Sequence, residues 1–168
     1  MKRRLVVLRH AKADWPAGVA DHDRPLGRRG VRDSAAVGRW LVDHGDVPEL
    51  VWCSTAKRTR ETWEHLEGEL PGPCDVHYED DVYDAGVEDL LAVVRRTPKK
   101  TARVLLVGHN PGVQDLVLTL ADRGSGEARS LAETKFPTSG LAVLDIDGEW
   151  ADLRRGDANL ASFVVPRG

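Results

Sequence analysis

After four residues the chain reads Leu5-Val6-Val7-Leu8-Arg9-His10, a short apolar run that ends in a guanidinium and an imidazole. A run of branched apolar residues is typical of a central strand of a parallel sheet, which is buried on both faces. In an open α/β sheet, ligands bind in the crevice beyond the carboxyl ends of the strands. This stretch therefore predicts a strand that brings Arg9 and His10 to the edge of the sheet where ligands bind.

A second run of the same kind is Val104-Leu105-Leu106-Val107-Gly108, which ends in His109 and continues as Asn110-Pro111-Gly112. Two such runs predict two strands that bring histidines to a shared edge. Taken singly, a histidine is more often structural than reactive. The histidines we interpret as structural are His22, His44, His65 and His77.

A third candidate strand, Leu50-Val51-Trp52-Cys53, leads into Ser54-Thr55, which we predict to cap a helix. A helix start offers unpaired N–H groups and a positive dipole end, both suited to an anion. Arg58 falls in the first turn, where a positive charge opposes the helix dipole. We therefore expect Arg58 to reach an anion, although a solvated arginine beside Lys57 and Arg60 stays open as an alternative.

Strand and helix patterns alternate through most of the chain and give way to antiparallel strands near its end. This order predicts a three-layer α/β/α sandwich with a mostly parallel central sheet and antiparallel edge strands, in a single domain spanning residues 1–168. We expect a first helix from Pro25-Leu26 to Gly45, with Val31, Ala35, Leu41 and Val42 on one face and Gly38 packed on the sheet. The further elements expected are a strand at 76–78, helices around 90–94 and at 113–121, a mobile connection at 122–136, a hairpin of 141–146 with 150–153 around Asp147-Gly148, and a last strand at 160–165.

Charge and composition exclude several function classes. The 168 residues carry a net charge of -3, which argues against a general nucleic-acid partner. The apolar run after the basic residues 1–4 is too short for a signal peptide, and no stretch reaches the roughly 18 apolar residues of a membrane span. Cys53 and Cys74 are too few for a disulfide scaffold and lack metal-site spacing. We expect a cytoplasmic protein with no membrane partner.

Three motifs resemble those of the histidine phosphatase superfamily. The stretch Leu8-Arg9-His10-Ala11-Lys12 is similar to its Arg-His signature, the stretch from Ser54 to Thr62 to its second arginine motif, and Val107-Gly108-His109-Asn110 to its second histidine motif. The loop Asp21-His22-Asp23-Arg24-Pro25-Leu26, followed by Arg28-Arg29-Gly30, resembles the SixA-type phosphohistidine phosphatase branch.

The resemblance implies a phosphoglycerate mutase-like fold and a phosphatase that needs neither metal nor cofactor. It implies that His10 attacks phosphorus and becomes a phosphohistidine, which water then hydrolyses, and that Arg9, Arg58 and His109 bind the transferred group. Phosphoryl transfer depends mainly on positioning and electrostatic stabilisation, so the residue types fit this chemistry. The expected partner is a phosphorylated protein carrying phosphohistidine, or else a small phosphorylated metabolite.

The residue that protonates the leaving group stays open. Larger relatives use a Glu or Asp, and the acidic candidates in this chain are Glu79, Asp80, Asp81 and Asp84, of which Asp84 is nearest to the family position. The imidazole ring of a phosphohistidine is a good leaving group once its nitrogen is protonated. A SixA-like enzyme therefore does not require a strong acid.

Three alternatives compete with a protein phosphohistidine phosphatase. A cysteine-dependent phosphatase is suggested by Cys53 ahead of Arg58, but the spacing is one residue short for that mechanism and lacks glycine. A phosphate-binding module would use the same pocket without turnover. A small-molecule phosphomonoesterase would share the chemistry and differ only in loops such as 13–23 and 122–137.

Overall fold

One six-stranded sheet carries the whole architecture, and the computed structural model describes residues 1–168 of the chain. The strands are β1 (Arg3–Arg9), β2 (Leu50–Ser54), β3 (Asp75–Glu79), β4 (Arg103–Gly108), β5 (Leu141–Ile146) and β6 (Ala158–Val164). The helices are α1 (Arg28–Asp43), α2 (Lys57–Glu67), α3 (Val87–Val94), α4 (Gly112–Leu120) and α5 (Glu127–Thr134).

The strand order is β3-β2-β4-β1-β5-β6. The first four of these strands are parallel, and β5 is antiparallel to both β1 and β6. The predicted mixed, mostly parallel sheet is confirmed, with the difference that the reversed strand β5 lies one position in from the edge. Since β1, β2 and β4 are parallel neighbours, their carboxyl ends meet at one edge of the sheet.

Two apolar layers cover the faces of the sheet, because alternate residues of a strand point to opposite faces. In β1, Leu5 and Val7 pack with residues of α3, α4 and α5, whereas Val6 and Leu8 pack with residues of α1 and α2. All four side chains are buried. The run that opens the chain is therefore a strand covered on both sides, and the three-layer sandwich is confirmed.

The first helix differs from its prediction in its start and in its buried face. Residues 25–26 are extended, because Leu26 pairs with Ala13 in an isolated bridge and its N–H donates to Glu61. Val42 is exposed rather than in the core. Gly38 packs against α2 and not on the sheet, since a Cβ there would lie 2.5 Å from the Leu66 carbonyl oxygen.

The predicted hairpin is wrong in its second strand. Trp150–Asp152 forms a 3-10 turn, and β5 pairs instead with β6. Trp150 is fully buried and its indole N–H donates to the Thr101 carbonyl at 2.7 Å. Trp150 and Leu153 both enter the core, and their spacing of three residues suits a helical turn rather than a strand.

The segment 122–136, expected to be a mobile connection, contains α5. Ala132 and Phe136 from this segment are buried in the larger apolar layer. Ala132 lies within α5, whereas Phe136 lies just after its end, beyond the extended residue Lys135. The prediction failed because Gly124 and Gly126 lie before the helix and not within it.

Candidate active site

The four predicted site residues converge at the edge where the parallel strands end. Arg9 is the last residue of β1 and pairs with Gly108 in β4, so His10 and His109 follow as neighbours. Their ring centroids are 5.3 Å apart. Arg58 comes from the first turn of α2, after β2. All four residues line one cavity of about 250 Å³.

The protonation state of His10 follows from its surroundings. Its Nδ1 lies 2.7 Å from the carbonyl oxygen of Ala11, which can only accept a hydrogen bond, so Nδ1 carries the proton. The other ring nitrogen, Nε2, then holds a free lone pair. The residue is 7% exposed, and burial lowers its pKa to about 3, with the charges of Arg58 and Arg9 acting in the same direction. At neutral pH His10 is therefore a neutral imidazole with an available nucleophilic nitrogen.

His109 is held by β2. Its Nε2 lies 2.8 Å from the hydroxyl oxygen of Ser54, whereas its Nδ1 is buried without a partner. Burial lowers the pKa of His109 to about 3, and the positive charge of Arg58 adds to the effect. The ring is therefore neutral at pH 7 and has one N–H to donate.

Arg58 is oriented by Asp21, a residue from the loop between β1 and α1. The Arg58 guanidinium donates from Nη1 to the Asp21 carbonyl at 2.7 Å and from Nη2 to the Asp21 carboxylate at 3.1 Å. A hydrogen bond from the Tyr83 hydroxyl, together with Arg58, lowers the pKa of Asp21 to about 2. Asp21 thus stays ionised, and the interpretation of Arg58 as a solvated side chain is wrong because the residue is only 6% exposed.

The predicted helix cap at Ser54-Thr55 is wrong, and both hydroxyls serve other partners. Ser54 ends β2, and α2 begins at Lys57 with Ala56 as its N-cap. The Ser54 hydroxyl contacts His109, and the Thr55 hydroxyl donates to Asp80 at 2.7 Å. These bonds tie the start of α2 to the ends of two neighbouring strands.

Unpartnered polar atoms concentrate at this edge of the sheet. Six buried side-chain nitrogen or oxygen atoms in the chain lack a hydrogen-bond partner, and among them are Arg9 Nε, Arg58 Nε and His109 Nδ1. An unpaired buried donor is costly. Two guanidinium groups with unpaired donors, next to a histidine ring, suit an anion with several acceptor oxygens, such as a phosphoryl group.

Several lining residues were missed by the sequence analysis. Arg24 is buried and donates to the Asp14 carbonyl at 3.0 Å and to the Asp21 carboxylate at 3.3 Å. Lys12, Trp15 and Asn110 also line the cavity. The length of the loop after β1 was the available signal, but the loop's polar residues gave no indication of which ones face inward.

His22, which we interpreted as structural, supports the wall of the site. Its Nε2 lies 2.9 Å from the Thr55 hydroxyl, and its ring packs edge-on against Tyr83 at 4.7 Å. Tyr83 in turn packs edge-on against His109, with ring centroids 5.5 Å apart. His22 thus connects the loop after β1 to the end of β4 through Tyr83.

The four candidate acids differ in what they contact. Glu79 pairs with Arg96, and Asp80 accepts from Thr55. Asp84 lines a second cavity of about 100 Å³ that also includes Arg58, Tyr83 and His109. Among the four, Asp84 therefore has the position from which a proton could reach the site.

Cys53 cannot act as a nucleophile in this structure. The residue is fully buried in β2, and burial raises the pKa of its thiol well above the usual range. A thiolate is the reactive form, and burial suppresses it. The cysteine-dependent phosphatase alternative is therefore wrong.

The depressed pKa values of His10 and His109 predict a pH-dependent stability. An unfolded histidine takes up a proton near pH 6.5, whereas these two do so near 3, so the unfolded state binds more protons between those values. Lowering the pH from 6.5 to 4.5 should reduce the free energy of unfolding, by at most about 1.4 kcal/mol per pH unit for each group. Urea unfolding midpoints across this range measure the effect.

A matched pair of variants separates this effect from other groups. His10→Asn removes one titrating ring and should give a shallower pH dependence than the wild-type chain. His65→Asn alters an exposed histidine of α2 and should leave the curve unchanged. Parallel curves for the wild type and His10→Asn would contradict the assignment.

The fold and the site together define an α/β protein built around paired histidines and arginines. A family model described as histidine phosphatase superfamily, branch 1, matches residues 5–87. The chain belongs to the histidine phosphatase superfamily, and its fold is the phosphoglycerate mutase-like fold expected of that superfamily.

Within that superfamily the chain is a SixA-like phosphatase. A Nakamurella multipartitia protein provisionally named phosphohistidine phosphatase SixA is 37% identical, with a TM-score of 0.88 over 99% of this chain and 97% of that one. An Agrobacterium tumefaciens protein with the same provisional name is 31% identical, with a TM-score of 0.82 over 99% of each chain. The uncharacterised protein Rv1276c of Mycobacterium tuberculosis is 40% identical over 95% of this chain and 100% of the relative.

Proposed function

We propose that this chain is a metal-independent protein phosphohistidine phosphatase that works through a phosphohistidine intermediate on His10. The observation that carries the proposal is the neutral His10 ring, whose Nδ1 proton is held by the Ala11 carbonyl and whose Nε2 is left unprotonated with a free lone pair. A binding module would have no use for a nucleophilic nitrogen prepared in this way beside two guanidinium groups. A phosphatase requires one.

In the first step, the His10 Nε2 lone pair attacks phosphorus and the bond from phosphorus to the leaving nitrogen breaks. When the substrate's phosphohistidine is protonated on its other ring nitrogen, its histidine ring leaves as neutral imidazole. In the second step, water attacks the phosphoryl group on His10, the P–Nε2 bond breaks, and its electron pair returns to Nε2. One proton passes to solvent, inorganic phosphate is released, and His10 is again neutral.

Arg9, Arg58 and His109 bind the phosphoryl oxygens and compensate their charge in the transition state. Two guanidinium forks suit the geometry of a phosphoryl group, and burial strengthens the interaction relative to water. Asp21 contributes by orienting Arg58 through two hydrogen bonds. Asp84 is our choice for the proton donor when a substrate needs one, since it lines the second, smaller cavity, which Arg58 and His109 also line.

A protein side chain is the substrate that the site favours. The cavity of about 250 Å³ holds little beyond a phosphoryl group and one ring, and Trp15 is exposed among its lining residues. Two of the similar structures carry the provisional name phosphohistidine phosphatase, which agrees with this choice. A small-molecule phosphomonoesterase would use the same chemistry and is the alternative that the experiment must separate.

No helix of the chain has both the length and the apolar character needed to cross a bilayer. We propose a cytoplasmic location, where the free thiols of Cys53 and Cys74 are compatible with reducing conditions. The negative net charge favours neither nucleic acid nor an anionic surface as a partner.

The test is a panel of substrates compared by kcat/KM, with and without EDTA. The panel contains phosphohistidine peptides, sugar phosphates, nucleotides and an activated aryl phosphate. We expect the phosphohistidine peptides to rank first and EDTA to change no rate. A higher kcat/KM for a sugar phosphate or nucleotide would establish the small-molecule alternative, and phosphate binding without any turnover would establish a binding module.

A further inference from the structure

We propose that Lys12 and Trp15 form a second subsite, which binds an anionic group that the substrate carries next to its phosphoryl group. This inference rests on the proposed function, because it names a part of the substrate beyond the reacting phosphorus. It concerns residues that neither bind the phosphoryl group nor orient those that do.

The charges around the cavity point to a second anion. Four cationic side chains line it, Arg9, Lys12, Arg24 and Arg58, and no carboxylate does. Arg24 and Arg58 share the nearby Asp21 carboxylate. A phosphoryl dianion and Asp21 together carry three negative charges against four positive ones. The side chain left over is Lys12, which forms no salt bridge within the chain.

The Lys12 side chain is exposed, but its backbone is held firmly, so the point at which the side chain joins the cavity lining is fixed. The Lys12 carbonyl accepts a hydrogen bond from the Gly27 N–H at 2.9 Å. Gly30 of α1 packs so closely that a Cβ there would lie 2.2 Å from the same carbonyl oxygen. The fold thus keeps an unpaired cation on the lining of a cavity that three other cations share, and an anionic ligand would balance this set of charges.

Trp15 supplies the second half of the subsite. It is 77% exposed, and the Arg24 guanidinium lies 3.2 Å from the centroid of its ring. Arg24 is itself fixed by the Asp14 carbonyl and the Asp21 carboxylate. The indole is therefore held at the mouth of the cavity with most of its surface open, as suits an aromatic anchor for the part of a substrate that does not react.

The shared chemistry of the ligand is a second negative charge close to the phosphoryl group. In a phosphorylated protein that charge is an aspartate or glutamate beside the phosphohistidine. In a small metabolite it is a second phosphate or a carboxylate. The proposed function favours the first source, and the experiment distinguishes the two.

The experiment compares matched substrates on matched variants. One pair is a phosphohistidine peptide with flanking glutamates and the same peptide with glutamines, and the other pair is fructose 1,6-bisphosphate and fructose 6-phosphate. Lys12→Met removes the unpaired charge, and Lys100→Met is the control, an exposed lysine ahead of β4 at the opposite end of the sheet. The measured quantity is kcat/KM at low and high ionic strength.

We expect the kcat/KM of the wild-type enzyme to be about fivefold higher for the glutamate peptide than for the glutamine peptide. Lys12→Met should lose most of this preference. Its kcat/KM for the glutamine peptide should stay within about twofold of the wild-type value. High salt should reduce the preference in the same way. Lys100→Met should behave as wild type. A preference seen only for the bisphosphate supports the subsite and assigns the charge to a small molecule.

Trp15→Ala should raise KM for both peptides and leave kcat within about twofold, because it removes contacts that do not change during the reaction. No preference in the wild type, or an equal loss on both peptides in Lys12→Met, would overturn the subsite while leaving the proposed function intact. Absence of hydrolysis for every substrate would instead refute the proposed function and the subsite with it.

Discussion

His10→Ala is expected to abolish turnover and to remove any covalent phosphoenzyme. The substitution deletes the nitrogen that forms the bond to phosphorus in the proposed scheme, so the first step is lost. Loss of a nucleophile in enzymes of covalent mechanism lowers kcat by at least about 10³-fold. The first measurement is single-turnover hydrolysis of a phosphohistidine peptide. The second is the mass of the intact enzyme after the reaction has been quenched without acid.

The mass spectrum is the decisive part of this experiment. Wild-type enzyme quenched during turnover should carry one added phosphoryl group that is stable in base and lost in acid, as expected of phosphohistidine. His10→Ala should carry none, and the control His65→Ala, at an exposed position of α2, should behave as wild type. A phosphoryl group that persists in His10→Ala would place the nucleophile elsewhere.

Arg58→Ala should cost roughly 2–4 kcal/mol of transition-state stabilisation, by comparison with the loss of a preorganised donor to a developing anion. That range corresponds to a decrease of about 30-fold to 10³-fold in kcat/KM. The physical reason is that the guanidinium of Arg58 is buried, and Asp21 has already fixed its orientation before the substrate arrives. The free energy of the interaction therefore stabilises the phosphoryl oxygens in the transition state. Little of it is offset by the cost of ordering a flexible side chain.

Two variants separate this electrostatic role from a loss of structure. Arg58→Lys retains the charge without the planar fork and should recover only part of the activity. Arg60→Ala removes an exposed arginine from the same helix and should have little effect. The urea midpoint of each variant accompanies the kinetics. A decrease of less than tenfold for a folded Arg58→Ala enzyme would count against the proposed role.

Much of the site could be predicted because its signals are local. A short branched run is a buried strand whichever partners it has, and in a parallel sheet the ends of such strands share one edge. This reasoning predicts that His10 and His109 lie together, and the distance of 5.3 Å between their ring centroids agrees with it. The unusual position of Arg58 in a first helical turn is likewise visible in the order of residues alone.

The errors share one cause, which is that local pattern does not define what a segment packs against. The pattern of residues 150–153 predicts a strand, yet Trp150 enters the core as part of a turn because the Thr101 carbonyl accepts its N–H. The glycines of segment 122–136 predict a mobile connection, although α5 packs there through Ala132. Val42 fits an apolar helical stripe but faces solvent, because α1 contacts its neighbours through other positions.

The order of residues thus defines which chemical groups reach the reactive edge, since strand ends and helix starts are properties of short stretches. Their chemical state depends on contacts between distant parts of the chain. The Ala11 carbonyl and the burial of the ring decide that His10 is neutral with a free Nε2. Asp21 and Tyr83 come from two loops far apart in sequence, and only folding brings them to Arg58. Desolvation and hydrogen-bond partners arise when the layers pack, so a linear pattern can predict the site's members but not their protonation or their orientation.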